Sequence, residues 1–317
     1  PTYNRSKSLL QTLRTLIRQS LSFSEFEVIV VDDGSTDDTQ QCFLCFADDH
    51  PFINLRYERH IINKKKAAAC NTGIRLAKGE LIAFLDDDIC PVTGWLESHL
   101  NRHQIENKDV SVTGLVLYPP EWEKESNWIR FANDNYRKNK FIRRIGSDGL
   151  PPNRFAGGNT SVRRDTLIRV GLFDENSIRL EDVTMGCQLY DAGVPLLFEE
   201  NALVYHYSEV ILSIDATLRS FRRSYEIDQE EINKKYPWFN QRYGHWFLFS
   251  PNRDYDTIVR YLTKHLIRLI AHRPFQQVIV KILKMIDRNP ELYLKPLFQY
   301  VLVCEAVDGI RASKGIY

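Results

Sequence analysis

Leu81-Ile82-Ala83-Phe84-Leu85-Asp86-Asp87-Asp88 is an apolar run that stops abruptly in three carboxylates. A short continuous run of this kind reads as a strand buried on both faces, as in the middle of a parallel sheet. In open α/β sheets ligands bind beyond the carboxyl ends of the strands, where these acids would sit. Adjacent carboxylates repel one another, and sharing a cation relieves that cost. Asp86 and Asp88 are two residues apart and point to the same side of an extended chain. The same three acids also suit a solvated acidic turn, and the choice between the two rests on the rest of the chain.

Upstream, Ser8 to Ser20 places Leu9, Leu10, Leu13, Leu16 and Ile17 at helical spacing. Phe26 to Val31 is a β-branched strand that ends in Asp32-Asp33-Gly34-Ser35-Thr36-Asp37. An EF-hand loop is excluded there, because the glycine comes too early and Phe43 stands where the bidentate Glu belongs. The stretch reads instead as a strand end and turn, with Ser35, Thr36 or Asp37 available to cap a helix running to about Phe46. Ile53 to Tyr57 predicts a third strand, followed by a basic loop, Asn63 to Lys66. Ala67 to Ala77 predicts an alanine-rich helix stopped by Lys78-Gly79. Strands alternating with helices in this way predict a parallel sheet with right-handed crossovers. Two strand ends, after Val31 and after Leu85, thus bring carboxylates to one sheet edge. No G-x-G-x-x-G and no Walker glycine loop follows the early strands, which argues against a Rossmann dehydrogenase and a P-loop enzyme.

The chain has 317 residues, 43% hydrophobic and 26% charged, with a net charge of +1. That size predicts one large α/β domain with additions, or two domains, and a substantial core. The net charge argues neither for nor against nucleic acid and local basic clusters exist, but the expected partners do not include nucleic acid. The six cysteines (Cys42, Cys45, Cys70, Cys90, Cys187, Cys304) are scattered, and the lone CxxC of Cys42 and Cys45 has no second pair to complete a zinc site. They read as buried core thiols of a reducing, cytoplasmic compartment. No apolar run is long enough to span a bilayer, and no signal peptide is visible. Pro1-Thr2-Tyr3-Asn4-Arg5 reads as the end of a strand whose body lies upstream.

Pro1-Thr2-Tyr3-Asn4-Arg5, Asp32 to Asp37 and Phe84 to Asp88 together resemble the nucleotide-sugar half of glycosyltransferase family 2, which has the GT-A fold. Phe155 to Arg164, containing Gly157-Gly158-Asn159, resembles the family's glycine-glycine-asparagine segment, and Val170 to Glu175 the stretch after it. Leu180-Glu181-Asp182-Val183-Thr184-Met185-Gly186 resembles its Glu-Asp catalytic segment, and Val204-Tyr205-His206 its late histidine. The resemblance covers about residues 1 to 206. It departs from the family at Cys70, where an arginine is common; a lysine of the 64–66 loop, Lys66 among them, either supplies that charge or belongs to a solvated basic loop. A Gln-x-x-Arg-Trp segment, typical of processive synthases, does not follow Asp182, which favours transfer of one or a few sugars.

The resemblance implies an α/β GT-A domain, a Rossmann-like mostly parallel sheet flanked by helices. Residues 1–206 would form it, about 1–110 binding nucleotide sugar and about 111–206 the acceptor, with 207–317 a helical C-terminal region. It implies a metal-dependent inverting glycosyltransferase that moves a sugar from a nucleotide sugar, UDP-sugar first and a deoxythymidine diphosphate sugar next, to a hydroxyl of a glycan or lipid-linked acceptor. Mn²⁺ or Mg²⁺ would be held by Asp88, with Asp86 near ribose or metal and His206 an additional metal or diphosphate contact. Asp87 is open between ligand and bystander. Pro1, Thr2, Tyr3, Arg5, Asp32 and Asp33 would line the nucleotide, Tyr3 by stacking and Asp33 by accepting a pyrimidine N–H. In the plainer reading Asp32 and Asp33 only cap the next helix. Gly157, Gly158 and Asn159 would meet the donor sugar. Asp182, beside Glu181 at the start of a helix, is the candidate base, since a helix N-terminus favours the ionised carboxylate.

Two other classes compete: a catalytically silent homologue that binds sugar nucleotide or glycan, and a nucleotidyltransferase. Tyr136 to Arg144 is basic with interleaved aromatics, either a solvated loop or a contact for a phosphorylated or lipid-linked acceptor or for nucleic acid. Glu121, Trp122 and Trp128 either line an acceptor groove or pack. In the last third, Ile258, Leu262, Leu266 and Leu269, then Val278, Ile279, Ile282, Leu283 and Ile286, fall on helical faces beside Lys and Arg. Such stripes serve as core packing, a homodimer contact or a peripheral contact with the inner face of a membrane.

Overall fold

The computed structural model of the protein describes residues 1–106, 108–137, 149–177, 180–239, 258, 262–263, 265–267, 271 and 273–313. Residues 138–144 of the basic segment, and Leu269, lie outside them. In chain order the elements begin with α1 (Ser6–Leu16), β1 (Glu27–Asp32), α2 (Thr39–Asp49), β2 (Asn54–Arg59) and α3 (Lys65–Leu76). Next come β3 (Leu81–Phe84), β4 (Ile89–Pro91), α4 (Trp95–Ile105), β5 (Ser111–Leu117), α5 (Pro120–Glu125) and α6 (Asn127–Arg137). They are followed by β6 (Thr160–Arg163), α7 (Arg164–Arg169), α8 (Glu181–Asp191), β7 (Leu196–His206) and α9 (Ile214–Arg223). The last are α10 (Gln229–Lys235), α11 (Arg273–Ile286) and α12 (Lys295–Ser313). The chain forms two compact units, residues 1–119 with 134–207, and residues 120–133 with 208–317.

In the first unit β1 and β2 pair in parallel as a two-stranded sheet. The other strands form a five-stranded sheet in the order β3-β6-β5-β7-β4. Within it β5 and β7 are parallel, while β3 pairs antiparallel with β6, β5 with β6, and β4 with β7. The βαβ alternation of the first hundred residues therefore holds locally, but β3 takes its hydrogen-bonded partner from far along the chain. Leu9, Leu13 and Leu16 of α1 recur at i, i+4 and i+7 and pack with Val30, Phe43 and Phe46. On the opposite side Cys70 and Ile74 of α3 join Phe84, Phe173, Met185 and Phe198 in a second core. Not all the thiols are interior as expected: Cys45 is exposed and Cys42 half-buried, on the outer side of α2, while Cys70, Cys90, Cys187 and Cys304 are buried.

In the second unit α12 packs against α9 and the turn after it, with Ala271, Cys304, Val307 and Ile310 at its core and Phe221 and Tyr225 against them. Gly309 allows this approach, because a Cβ there would lie 2.5 Å from the Arg222 carbonyl oxygen. Trp128 is buried against Phe131 and Phe298, so it packs and lines no groove. Among the described residues no helix is long and apolar enough to cross a membrane.

Candidate active site

The three acids lie in the turn between β3 and β4. Antiparallel pairing sets Ile89 opposite His206, and the Tyr207 N–H donates to the Asp88 carbonyl at 2.8 Å. This places the His206 Nε2 3.3 Å from Asp88 Oδ1, while the Arg5 guanidinium donates to Asp88 Oδ2 at 2.7 Å. Burial would push the Asp88 carboxyl up, but His206 and then Arg5 outweigh it and bring it down to about 2. Tyr118 stacks on the His206 ring, with centroids 5.7 Å apart and planes at 16°. It directly follows the end of β5 at Leu117, an aromatic that sequence reasoning passed over.

Asp87 points the other way. It is buried, accepts from Thr2 Oγ1 at 2.7 Å and from Arg5 at 3.2 Å, and its carbonyl accepts from Thr12 Oγ1 at 3.0 Å. Thr2 in turn bridges to the end of β1: its N–H donates to the Val31 carbonyl, and its carbonyl accepts from the Asp33 N–H, both at 2.9 Å. Residues 2–5 thus tie the two acidic strand ends together.

A second cluster centres on Lys66, in the first turn of α3. Its ammonium lies 2.9 Å from Asp86 Oδ1 and 3.8 Å from Asp182 Oδ2. Burial opposes its charge, yet Asp86 and then Asp182 hold its pKa well above the usual lysine value. Asp86 is therefore turned toward Lys66 and Asp182, while Asp88 is turned toward His206 and Arg5. The Gly157 N–H donates to Asp182 Oδ2 at 2.9 Å, and Asp182 Oδ1 is buried with no hydrogen-bond partner. Both glycines are required by this packing. A Cβ on Gly157 would lie 2.1 Å from Asp182 Oδ1, and one on Gly158 2.9 Å from Asp86 Oδ2.

Asp182 sits in the first turn of α8, beside Glu181. The expectation that the helix N-terminus keeps it readily ionised is corrected here. Burial is the largest influence, Lys66 offsets part of it, and the charges of Asp86 and Glu181 add to it, so the carboxyl is raised to about 6.

At the end of β1 the carboxylates are committed to the protein itself. Asp32 is fully buried, accepts from the Ser35 N–H at 2.8 Å and from the Tyr57 hydroxyl, and lies 3.6 Å from Arg59. Asp33 is also buried and accepts from His60 Nδ1 at 2.8 Å and from the backbone N–H groups of Lys64 and Lys65, at 2.8 and 2.7 Å. Neither caps α2, which starts after Asp38; Asp33 instead meets the backbone N–H groups at the start of α3. They pin the 60–65 loop and the turn after β1 to each other. Asn4, which the sequence reading did not single out, does similar work: its side-chain oxygen accepts from the Thr36 N–H at 2.7 Å. Tyr3 is exposed next to these groups, and Pro1 lies at the mouth of an interior cavity.

Asn159 does not face the cleft. It is 0% exposed, and its amide donates to the carbonyls of Leu115 at 3.2 Å and Ala202 at 3.0 Å. Its oxygen accepts from Trp95 Nε1 at 2.7 Å and His99 Nε2 at 3.1 Å. The side chain fills the irregularity where the β5–β7 register shifts after Gly114, and has no capacity left for a donor sugar. The network continues through Ser161 to His103, and burial holds both histidines down at about 4, hence neutral.

Comparison with known proteins bears on the family and the fold. Chondroitin synthase of Escherichia coli is 27% identical over 235 residues, 65% of this chain and 34% of that protein. The chain spans only 34% to 64% of the length of the first curated relatives it matches. Among solved structures, the mannosyltransferase PcManGT from Pyrobaculum calidifontis, in complex with GDP-Man and Mn²⁺, superposes with a TM-score of 0.64 at 17% identity, covering 97% of this chain and 85% of that one. S. aureus TarS 1–349 in complex with UDP gives 0.51 at 16% identity, covering 99% and 89%. These likenesses show the GT-A fold with its added helices. The family model for glycosyl transferase family 2 matches residues 1–171, which takes in β1 to β6 and both acidic strand ends, so the chain belongs to glycosyl transferase family 2.

Proposed function

We propose that the protein transfers a sugar from a nucleoside diphosphate donor to an acceptor hydroxyl, with Asp182 as general base. The observation that carries this reading is Asp182 itself: a carboxylate raised to about 6, one oxygen held by the Gly157 N–H and the other buried without a partner. A base near the working pH is ionised enough to accept a proton and basic enough to hold it. Lys66 and Asp86, beside it, would orient the sugar, and Arg5 the diphosphate. The attraction of the two cations, Arg5 and Lys66, strengthens as negative charge develops on the departing diphosphate. One displacement with inversion at the anomeric carbon needs no enzyme nucleophile, and Lys66, held protonated, is not one.

The residues also fit a divalent cation. Among the described residues no group of three or more His, Cys, Asp and Glu could hold one alone. Asp88 and His206 supply two ligand atoms, which suits Mg²⁺ or Mn²⁺, ions that take few protein ligands and complete their shell with phosphates and water. Such an ion would offset the charge of the leaving diphosphate. UDP-sugar is the proposed donor, supported by the UDP bound to TarS, although PcManGT holds GDP-Man. Tyr3 is exposed and free to stack on the base.

A glycan or lipid-linked acceptor is proposed. Phe275, Val278, Ile282 and Met285 form an exposed apolar stripe on α11, while Ile279 and Leu283 face inward. Lys281 and Arg288 flank that stripe, the arrangement that suits an anionic lipid surface. Co-sedimentation with anionic vesicles, lost in Ile282→Asp, is the expected result; sedimentation as a dimer without vesicle binding would assign the stripe to self-association. The test of the central reading is Asp182→Asn, which should lose about 10²–10⁴-fold in transfer rate while binding donor normally. Full activity in that variant would remove Asp182 from the mechanism.

A further inference from the structure

Between α7 and α8 the chain runs through an irregular stretch, residues 170–177. Two consecutive residues there are left-handed, Gly171 at a φ of 96° and Leu172 at a φ of 65°. Glycine adopts that conformation freely and leucine does not, so bonds from outside the stretch must hold it in place.

Two side-chain amides do so, one from each of the helices that carry the Lys66–Asp182 cluster. Asn71 follows Lys66 on α3 and is 1% exposed. Its amide donates to the Phe173 carbonyl at 2.9 Å and to Glu175 Oε1 at 2.8 Å, and its oxygen accepts from the Phe173 N–H at 2.9 Å. It thus meets both backbone groups of Phe173, as a neighbouring strand would. Gln188 follows Asp182 on α8. Its amide donates to the carbonyls of Val170 at 2.9 Å and Leu172 at 3.0 Å, while its own Oε1 is buried with no partner. Leaving that oxygen unbonded is costly, and the two carbonyls are what the side chain gains for it.

From Phe173 the bonding continues to the start of α8. The Asp174 carbonyl accepts from the Ser177 N–H at 3.1 Å. The buried Ser177 Oγ accepts from the N–H of Leu180, the residue that opens α8, at 3.2 Å. The Phe173 ring lies edge-on to Phe84, the last residue of β3, with centroids 5.2 Å apart. Phe173 is therefore fixed to α3 by its backbone and to the acidic strand end by its ring.

We infer that Asn71 is a positioning residue for Asp182: through Phe173 and Ser177 it ties the first turn of α8 to α3, and so sets the carboxylate 3.8 Å from Lys66. The inference rests on the reading of Asp182 as the base. Without the tie, α8 can shift against α3, and a displacement of about 1 Å at the reacting groups costs about 10²-fold in rate. Lys66 and the acidic turn stay where they are, so donor binding is retained.

The test is a double-mutant cycle on kcat. Asn71→Leu removes all three hydrogen bonds at similar volume and should lower kcat by about 10–10²-fold, with donor KM changed less than about threefold. In an Asp182→Asn background the same change should cost less than about threefold, because the group that Asn71 positions is already gone. An unchanged kcat in Asn71→Leu, or an equal loss in both backgrounds, would overturn the inference and leave the base reading standing. Full activity in Asp182→Asn alone would instead remove the base reading, and the inference with it. If Asn71→Leu does not fold, Asn71→Asp takes its place. That change keeps the bond from the Phe173 N–H but sets a carboxylate against Glu175, and adding Glu175→Gln restores a donor there. The pair should recover at least about fivefold of the kcat lost in Asn71→Asp. No recovery would overturn the inference.

Discussion

Replacing Asp182 with Asn should make the protein more stable as well as inactive. The folded carboxyl titrates at about 6 against the ordinary 3.8, so the native state holds this proton more tightly than the unfolded chain. For a carboxylate shifted upward, ionisation works against the fold. The cost is fully present above about pH 6 and disappears as the pH falls below the ordinary value. A shift of this size corresponds to about 3 kcal/mol at most, at about 1.4 kcal/mol per unit. Partial solvent access reduces it, so the expected gain for the Asn variant at pH 8 is about 1–2 kcal/mol. An Asn oxygen can still accept from the Gly157 N–H, so the turn is retained. Thermal melts of both proteins at pH 8 and pH 4 provide the assay: the variant should melt higher at pH 8, and the two should converge at pH 4. A variant less stable than the parent at pH 8 would show that the Asp182 carboxylate is held by favourable pairing with Lys66 and is not strained by burial, and the argument for a poised base would fail.

The pH dependence of kcat/KM should fall tenfold per unit below about pH 6, because the base must be ionised; an acid limb near pH 4 would exclude Asp182. Asp88, held near 2 by His206 and Arg5, should contribute no limb in the accessible range, and Asp88→Asn should abolish metal-dependent donor binding in calorimetry. Gly157→Ala should cost about 10²-fold or more in kcat with little change in donor affinity, since its Cβ would lie 2.1 Å from Asp182 Oδ1. Asn159→Leu should lose about 3 kcal/mol or more by denaturant melt, because Trp95, His99 and two carbonyls lose their partner at once. A neutral outcome there would return Asn159 to the donor site.

The acidic strand ends were legible from local sequence because two local rules coincide there. A β-branched run marks β1, a short apolar run marks β3, and Asp-rich turns follow both. Asp88 beside His206 and Lys66 beside Asp86 were reachable only through the family resemblance, since pairing of Ile89 with His206 spans more than a hundred residues of chain. Asn159 misled for a physical reason: a polar residue after two glycines looks like a turn facing solvent, but its amide satisfies an irregular stretch between β5 and β7. The loop-holding work of Asp32 and Asp33 was illegible too, because residue type does not tell a buried carboxylate that holds a loop from one that meets a ligand. The partner of β3 was illegible because long-range pairing leaves no local signal. Cys45 is exposed because it shares a helix with the buried Phe43 and Phe46 but lies off their face.

Crystals soaked with a nucleoside diphosphate sugar and Mn²⁺, read by anomalous scattering, test the account most directly. The predicted result is one strong peak at coordination distance from Asp88 and His206, with diphosphate oxygens completing its shell and Asp182 facing the sugar. A metal bound elsewhere with the donor in place, or a donor whose sugar lies out of reach of Asp182, would contradict it.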